Sequence, residues 1–358
     1  NYKRSTMRFF HIADVHLGAE PDKGYPWSQD RSREIWDSFR RVIEQAGRDH
    51  VDLLLIAGDL FHRQPLAREL KEVNAMFSTI PDTKIVLIAG NHDYLRKDSP
   101  YRKFPWGKNV WGLWSQEFSH VDFPEMGVRV RGCSYESREI RQPLYDSLKK
   151  SGEMPVEILL AHGGDEKHIP ISRERLIAGG FDYVALGHIH KPQVLLEDRI
   201  IYPGSLEPTE KNDTGVHGFV KGEMKKGKVR TAFVPWAVRE YKELRIPVTR
   251  ETTQYRLTQF LQELIKKMGE KHIYTVLLEG KRDPDTEFHL NQLYSLGNIR
   301  AVEDQTRPGW SLEELCRKYK GSLLEEYIRS FGEKPDEEAE KALEYGIGAL
   351  LETGEEIL

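Results

Sequence analysis

The sequence predicts an α/β fold in which buried strands alternate with covering helices. Five apolar runs between residues 8 and 220 are nearly continuous, as expected of strands that are buried on both faces. Between them, residues 31–48 and 66–80 place apolar side chains at helical spacing along one stripe. In chain order the runs read RFFHIAD, VDLLLIAGD, TKIVLIAGN, VEILLAHGG and FDYVALGH. The alternation indicates a layered α/β core.

The length and a change of pattern predict more than one domain. The chain has 358 residues, which exceeds the roughly 250–300 residues at which a single core usually stops growing. From about residue 243 the pattern becomes helix, strand, helix and strand, and two further helices follow at 311–331 and 336–352. We therefore predict a main domain over 7–242, a small α/β unit over 243–306 and a C-terminal helical segment over 307–358.

Composition excludes several classes of protein. A net charge of −4 and a pI near 6.4 give no overall attraction to nucleic acid, so any site for a polyanion must be local. The two cysteines, Cys133 and Cys316, form no CxxC pair, which argues against a disulfide framework or a thiolate zinc site. No apolar run approaches the roughly 20 residues that span a bilayer, and no signal-like segment opens the sequence. We expect a cytoplasmic protein with no membrane partner.

Side chains that commonly bind metal follow all five predicted strands. The crevice outside the carboxyl ends of strands is where α/β sheets bind ligands, so these endings are expected to converge on one site. A single histidine after a strand is usually structural, but five such endings favour a site. The residues are Asp14 and His16 after the first strand, Asp59 after the second, Asn91 and His92 after the third, His162 after the fourth, and His188 with His190 after the fifth.

The chemistry of this set predicts two cations. Imidazoles, carboxylates and an amide oxygen without sulfur suit manganese, iron or zinc better than calcium or a structural zinc. The set is larger than one metal needs, and paired cations about 3.5–4 Å apart hold the attacking and leaving oxygens of phosphoryl transfer. Such a pair needs a shared anion, for which Asp59 is the natural bridge.

The ordered motifs resemble those of a known family. DVH, GDLFH, GNHD, the histidine of LLAHGG, and GHIH are similar to the five motifs of the calcineurin-like metallophosphoesterases, over residues 8–220. GDLFHR and YPGSLEP resemble the DNA-repair nuclease branch typified by the bacterial SbcD-type subunit. The resemblance implies a layered β-sandwich flanked by helices, and residues 243–306 are weakly similar to the capping domain of the nucleases.

The resemblance also implies a role for each residue. The first metal would be held by Asp14, His16, Asp59 and His190, and the second by Asp59, Asn91, His162 and His188. His92 would act in catalysis beside the metals, and Asp93 would orient it. His62 is similar to a second histidine of the nucleases near the scissile phosphate; capping of the following helix is the alternative.

We therefore expect a two-metal phosphodiesterase that cleaves DNA. The resemblance implies manganese and a coiled-coil ATPase partner of the SbcC type, and a homodimer is compatible with it. Three alternatives stay open: an enzyme for a small phosphodiester or nucleotide, a phosphoprotein phosphatase, and a non-catalytic scaffold. The phosphatase motifs GDYVDRG and GNHE are absent from the sequence, and a scaffold should have lost metal ligands. The last helix could pack within its own domain or on another protein.

One segment suggests a path for DNA. Residues 94–114 combine aromatic and basic side chains directly after the GNHD motif. Cations can bind backbone phosphates while aromatic rings stack on unpaired bases. The alternative is that the aromatic rings pack into the core. The candidate DNA contacts are Arg96, Lys97, Arg102, Lys103 and Lys108.

Overall fold

The computed structural model describes residues 6–225, 227–332 and 336–353. Proximity of Cα atoms divides the chain into two compact units, Asn1–Tyr241 and Lys242–Leu358. The capping unit and the C-terminal helical segment expected from the sequence both belong to the second unit. Residues 354–358 of that segment lie outside the described residues.

The first unit contains two mixed β-sheets. The first sheet has the order β12-β11-β1-β2-β3-β4, and the second has the order β5-β6-β7-β8-β10-β9. The strands are β1 (Met7–Ile12), β2 (Leu53–Ala57), β3 (Lys84–Ile88), β4 (Val110–Gly112), β5 (Ser119–Phe123), β6 (Val128–Gly132), β7 (Val156–His162), β8 (Tyr183–Gly187), β9 (Gln193–Leu196), β10 (Ile200–Tyr202), β11 (Gly218–Lys225) and β12 (Lys228–Pro235). The helices are α1 (Ser28–Arg48), α2 (Ala67–Ser78), α3 (Pro100–Lys103) and α4 (Arg173–Gly179), with a 3₁₀ turn at Leu144–Ser147.

Three apolar layers explain this architecture. Side chains from β2 and β3 of one sheet and from β7 and β8 of the other form a shared core between the sheets. A second core lies between the first sheet and helices α1 and α2, and a third packs α4 against the second sheet. Strands β2 and β8 are buried along their whole length, because each sheet is covered on both faces. The predicted α/β sandwich with flanking helices is confirmed.

The strand pairing brings the predicted strand endings together. β1, β2 and β3 run parallel, with Ile12 paired with Ile56 and Ala57 with Ile88. β7 and β8 also run parallel, and their pairing ends at His162 and Gly187. Parallel neighbours end at the same edge of a sheet, so within each sheet the loops that follow these strands lie side by side.

The second unit has its own sheet and two apolar cores. Its sheet has the order β13-β14-β15, with β16 paired with β14. One core packs α5 on this sheet, and the other joins the last three helices. Its elements are β13 (Tyr241–Val248), α5 (Gln254–Met268), β14 (Ile273–Arg282), α6 (Leu290–Leu293), a 3₁₀ turn (Tyr294–Leu296), β15 (Ile299–Asp304), β16 (Arg307–Pro308), α7 (Leu312–Lys318), α8 (Leu323–Ser330) and α9 (Glu337–Glu352).

The C-terminal helices differ from the sequence-based expectation. The single helix predicted over 311–331 is two helices, because Gly321 adopts a positive φ of 81° and the Ser322 side chain caps α8 by accepting a hydrogen bond from the amide of Glu325. Leu343 and Ile347 of α9 are buried in the core shared with α7 and α8, so packing within this unit is the alternative that holds for them. Among the described residues, no helix is both long and apolar enough to cross a bilayer.

Candidate metal centre

The loops that carry the predicted ligands have unusual backbone geometry. Four of the seven proposed ligands are non-glycine residues with positive φ: Asp14 (50°), His16 (53°), Asp59 (49°) and His188 (97°). Such conformations are uncommon for residues with a side chain and are concentrated at functional sites. Backbone hydrogen bonds hold two of them, since the amide of Asp14 donates to the carbonyl of Gly58 and the amide of His16 to the carbonyl of Asp59.

Two glycines allow the ligand-bearing strands to approach one another. A Cβ atom on Gly90 would collide with the carboxylate of Asp59, and one on Gly58 would collide with the ring of His162. Gly58 also has a φ of 87°, which favours glycine. The glycines before Asp59 and Asn91 in the sequence are therefore required for the close packing of this site.

The first group of ligand-type side chains contains Asp14, His16 and His190. Their candidate ligand atoms all lie within 4.8 Å of one another. Nε2 of His16 lies 3.0 Å from Nε2 of His190, and Asp14 accepts hydrogen bonds from the amide of His188 at 2.9 and 3.1 Å. These three side chains are three of the four residues predicted to hold the first metal.

The second group contains Asp59, His162 and His188, whose ligand atoms likewise lie within 4.8 Å of one another. Oδ1 of Asn91 lies 2.9 Å from Nε2 of His162 and 3.1 Å from Nδ1 of His188, which adds the amide oxygen to this group. Oδ2 of Asp59 lies 3.4 Å from Nε2 of His162 and 4.0 Å from Nε2 of His16. Asp59 thus stands between the two groups, as a bridging ligand must.

Electrostatics couple these side chains. Burial opposes ionisation of Asp59, but the His162 and His16 rings outweigh burial and hold the pKa of Asp59 below its ordinary value. Burial also opposes protonation of His162, yet the charge of Asp59 raises the pKa of His162 to about 9. Burial raises the pKa of Asp14 to about 6. Metals bind the deprotonated ligands, so a cation at this site would replace the proton on His162.

His92 and His62 lie beside the first group, in contact with His16. Nδ1 of His62 lies 3.4 Å from Nδ1 of His16, and the candidate ligand atoms of His16, His62 and His92 lie within 4.8 Å of one another. The rings of His62 and His92 stack at 4.9 Å, and the ring of His92 lies 4.8 Å from that of His16. The amide of His92 donates to Oδ1 of Asp59 at 2.8 Å, and Nδ1 of His92 lies 3.1 Å from the carbonyl oxygen of His62. Nε2 of His92 has no hydrogen-bond partner in the described part of the chain. Helix α2 has Leu66 as its N-cap, so the alternative that His62 caps this helix is wrong.

Asp93 has a different environment from the one expected. It is fully buried and accepts hydrogen bonds from the amides of Gly90 and Phe61 and from the hydroxyl of Tyr101. None of these hydrogen bonds goes to the His92 ring, whose Nδ1 lies against the carbonyl oxygen of His62, so the prediction that Asp93 orients this ring is wrong. Burial, and then the nearby charge of Asp59, raise the pKa of Asp93 to about 7. Asp93 joins the loops that follow β2 and β3.

The aromatic rings of the basic and aromatic segment, residues 94–114, pack against the apolar cores. Tyr101 is fully buried, and the other five aromatic rings of the segment pack against the apolar cores: Tyr94, Phe104, Trp106, Trp111 and Trp114. Packing into the core is therefore the alternative that holds. All five cations of the segment are exposed. Among them, Arg102 donates to the carboxylate of Glu136 and to the backbone carbonyls of Arg96 and Trp114.

Sequence reasoning missed several residues around the site. Hydroxyls of Tyr135 and Tyr145 both donate to the carbonyl of His162, which fixes the end of β7. Asp165 and Asp213 contact the rings of two proposed ligands from outside. Asp165 could have been found from the sequence, because it follows His162 and the Gly163–Gly164 pair in HGGD. No sequence pattern indicates the two tyrosines.

The family follows from a comparison with known proteins. Residues 7–192, just over half of the chain, match the calcineurin-like phosphoesterase family. The chain belongs to this family. Calcineurin-like phosphoesterases are hydrolases that use two divalent metals, and the two ligand groups described above fit that requirement in number, in donor type and in the central position of Asp59.

The sequence of this phosphoesterase is similar to those of three relatives described below. It is 28% identical over 286 residues to the uncharacterized metallophosphoesterase YhaO of Bacillus subtilis, which covers 74% of this chain and 69% of that protein. It is 30% identical over 228 residues to the DNA double-strand break repair protein Mre11 of Methanocaldococcus jannaschii, covering 58% of each chain. Mre11 of Sulfurisphaera tokodaii is 27% identical over 346 residues, covering 85% of this chain and 82% of that protein. The match thus spans less than two thirds of the Methanocaldococcus protein.

Proposed function

We propose that this phosphoesterase is a two-metal nuclease that hydrolyses phosphodiester bonds in DNA, as a subunit similar to the SbcD type. The observation that carries the proposal is the pair of stacked histidines, His62 and His92, beside the two ligand groups. A second line of support is the similarity to the repair proteins named Mre11 in two archaea.

The proposed metal ligands are the seven residues of the two groups. Asp14, His16, Asp59 and His190 would hold one cation, and Asp59, Asn91, His162 and His188 the other. The nitrogen and oxygen donors, without sulfur, suit Mn²⁺, which is our proposal for the metal. When bound, the two cations would lower the pKa of a water molecule and neutralise charge on the phosphate.

The side chains of this chain then have separate tasks. His92 is held by its own amide on Asp59 and by Nδ1 on the carbonyl of His62, which leaves Nε2 free to donate to a phosphate oxygen or to the leaving oxygen. His62 is exposed beside it and is proposed to contact the scissile phosphate. Asp93 is proposed to act only through the backbone, since its hydrogen bonds hold Gly90 and Phe61.

DNA contacts are proposed at the exposed cations that follow the GNHD motif. Arg96, Lys97, Lys103 and Lys108 are exposed, and none of them forms an ion pair within the described residues. Arg102 is the weaker candidate, because its guanidinium already binds the carboxylate of Glu136. The stacking of bases on aromatic rings is not part of the proposal, since those rings pack against the cores.

Partners and location are proposed on the resemblance alone. We propose a coiled-coil ATPase of the SbcC type as a partner, a cytoplasmic location, and a capping role for residues 243–306. A homodimer is compatible with these proposals, and the relatives named Mre11 support a role in DNA repair.

The decisive experiment is hydrolysis by the purified chain with Mn²⁺. Single-stranded, duplex and hairpin DNA should be cleaved, and cleavage should stop on chelation and return with Mn²⁺. Cyclic nucleotides, small phosphodiesters and a phosphopeptide serve as competing substrates. Turnover of a small phosphodiester without cleavage of any DNA would assign the second candidate function and contradict the nuclease proposal.

A further inference from the structure

Two loop carboxylates contact the outer nitrogens of two proposed ligands. Oδ2 of Asp165 lies 2.7 Å from Nε2 of His188, and Oδ2 of Asp213 lies 3.0 Å from Nδ1 of His190. We propose that Asp165 and Asp213 are positioning residues, one for each cation, that keep the imidazole proton on the outer nitrogen and leave the inner nitrogen free to bind metal. The inference rests on the two-metal site of the proposed function, but not on DNA as its substrate.

The inner nitrogens of the two histidines point to different ligand groups. Nδ1 of His188 lies 3.1 Å from Oδ1 of Asn91, and Nε2 of His190 lies 3.0 Å from Nε2 of His16. The two histidines therefore use opposite ring nitrogens toward the site, although they are only two residues apart in the chain. Each ring needs its proton on a different nitrogen, and a hydrogen-bond acceptor on the outer side favours that tautomer before a metal binds and holds the ring in place.

Asp213 is rigidly held by its own loop. Its Oδ2 accepts hydrogen bonds from the amides of Thr209 and Glu210 at 2.9 and 3.1 Å, and from the hydroxyl of Thr209 at 3.2 Å. Its side chain is 12% exposed. A carboxylate that is anchored and largely shielded from water keeps its position, so it can fix the ring of His190 as well as the tautomer.

Asp165 is held in a similar way but is more open to water. Its Oδ1 accepts hydrogen bonds from the amides of Lys167 and His168 at 2.7 and 3.0 Å. Its side chain is 47% exposed, and Nδ1 of His168 lies 2.9 Å from both of its oxygens. Solvent and His168 therefore compete with His188 for this carboxylate. We expect Asp165 to affect His188 less than Asp213 affects His190.

His162 shows the same arrangement with a backbone acceptor. Its Nδ1 lies 2.8 Å from the carbonyl oxygen of Ala57, while its Nε2 faces Asn91. Three proposed histidine ligands thus have an oxygen acceptor on the nitrogen that points away from the site. Outer partners of this kind orient metal-binding histidines and increase their basicity.

A competing explanation exists for Asp165. The ligand atoms of Asp165, His168 and His188 lie within 4.8 Å of one another, so these side chains could themselves hold a third cation. The two explanations predict different numbers of bound metals. The positioning role requires two cations per chain, whereas the ligand role requires a third that disappears when Asp165 is changed.

The test is titration of the full chain with Mn²⁺, without DNA, by calorimetry and by metal analysis. Asp213→Asn should weaken one of two binding steps by about 10–100-fold, and Asp165→Asn should weaken the other step by less. Glu197→Gln, which changes an exposed carboxylate outside these groups, is the control and should bind like the parent chain. In ¹⁵N-histidine spectra of the Zn²⁺-loaded chain, the outer N–H signal of His190 should shift in Asp213→Asn only.

Each outcome decides between the explanations. Unchanged affinities and an unchanged His190 signal would overturn the positioning role, as would three bound cations that fall to two in Asp165→Asn. Binding that behaves as expected in a chain that cleaves no DNA would leave this inference intact and overturn the nuclease proposal, so the two failures are distinguishable.

Discussion

The amide of His92 donates a 2.8 Å hydrogen bond to Oδ1 of Asp59, while Oδ2 of Asp59 faces the histidines of both ligand groups. One carboxylate thus stands between the two ligand groups and also fixes the backbone of the proposed catalytic residue. Loss of Asp59 is therefore expected to impair both metal binding and the placement of His92. A change at His92 alone is expected to impair catalysis while metal binding is kept.

Asp59→Ala should remove at least one cation and abolish hydrolysis. The change deletes the carboxylate that stands between the two groups, and a lost cation takes with it both activation of water and neutralisation of phosphate charge. Metal content by mass spectrometry and hydrolysis with added Mn²⁺ are the measurements. Asp37→Ala on α1, whose carboxylate pairs with Arg40 near the surface, is the matched control. Parent-like metal content in Asp59→Ala would contradict the bridging assignment.

Asn91→Ala and His92→Ala should behave differently although they are neighbours. Asn91 contacts His162 and His188 in the second ligand group, so its loss should lower metal content and activity together. Nε2 of His92 has no hydrogen-bond partner among the described residues, and His92 is not one of the seven proposed ligands, so His92→Ala should keep both metals and DNA affinity but lose about 10²–10⁴-fold in cleavage. Metal analysis, DNA binding and single-turnover cleavage on one preparation would show the difference. Loss of a metal in His92→Ala would make His92 a ligand.

The sequence was sufficient to find the strand endings but not the way in which they meet. Asp14, Asp59 and His162 end runs whose continuous apolar character follows from burial on both faces. The same character hides the pairing, because a run without alternation does not indicate its neighbours. Periodicity alone could therefore not reveal that the runs belong to two sheets; the family resemblance supplied the sandwich.

The contacts of individual side chains also could not be predicted from the sequence. Asp93 looked like a partner of His92, but its short side chain points to the amides of Gly90 and Phe61, because these buried donors need an acceptor. Asp213 could not be connected with His190, since 23 residues separate them and only the folded loop brings them together. Residues that act through such long-range contacts leave no local pattern.

Tyr101→Phe should lower stability without removing metal. The Tyr101 hydroxyl donates to Oδ2 of Asp93 at 2.6 Å in a fully buried environment, and the ring itself would keep its packing on Trp114. Loss of one buried hydrogen bond should reduce the free energy of unfolding by about 1–3 kcal/mol. Urea unfolding of the metal-free chain measures this change. Tyr94→Phe, which removes a hydroxyl from a half-buried ring that does not hydrogen-bond to Asp93, is the control.

Salt dependence of binding should identify the cations that contact DNA. Each phosphate contact releases counterions, so the logarithm of the binding constant falls with the logarithm of salt concentration by about 0.7–0.9 per contact. Lys97→Gln and Lys103→Gln should each flatten this slope by about one contact, because both side chains are exposed without an ion-pair partner in the described residues. Arg102→Gln should flatten it less, since Arg102 already binds Glu136. Lys71→Gln on α2 is the control. Equal slopes for all four variants and the parent chain would show that DNA does not bind along residues 94–114.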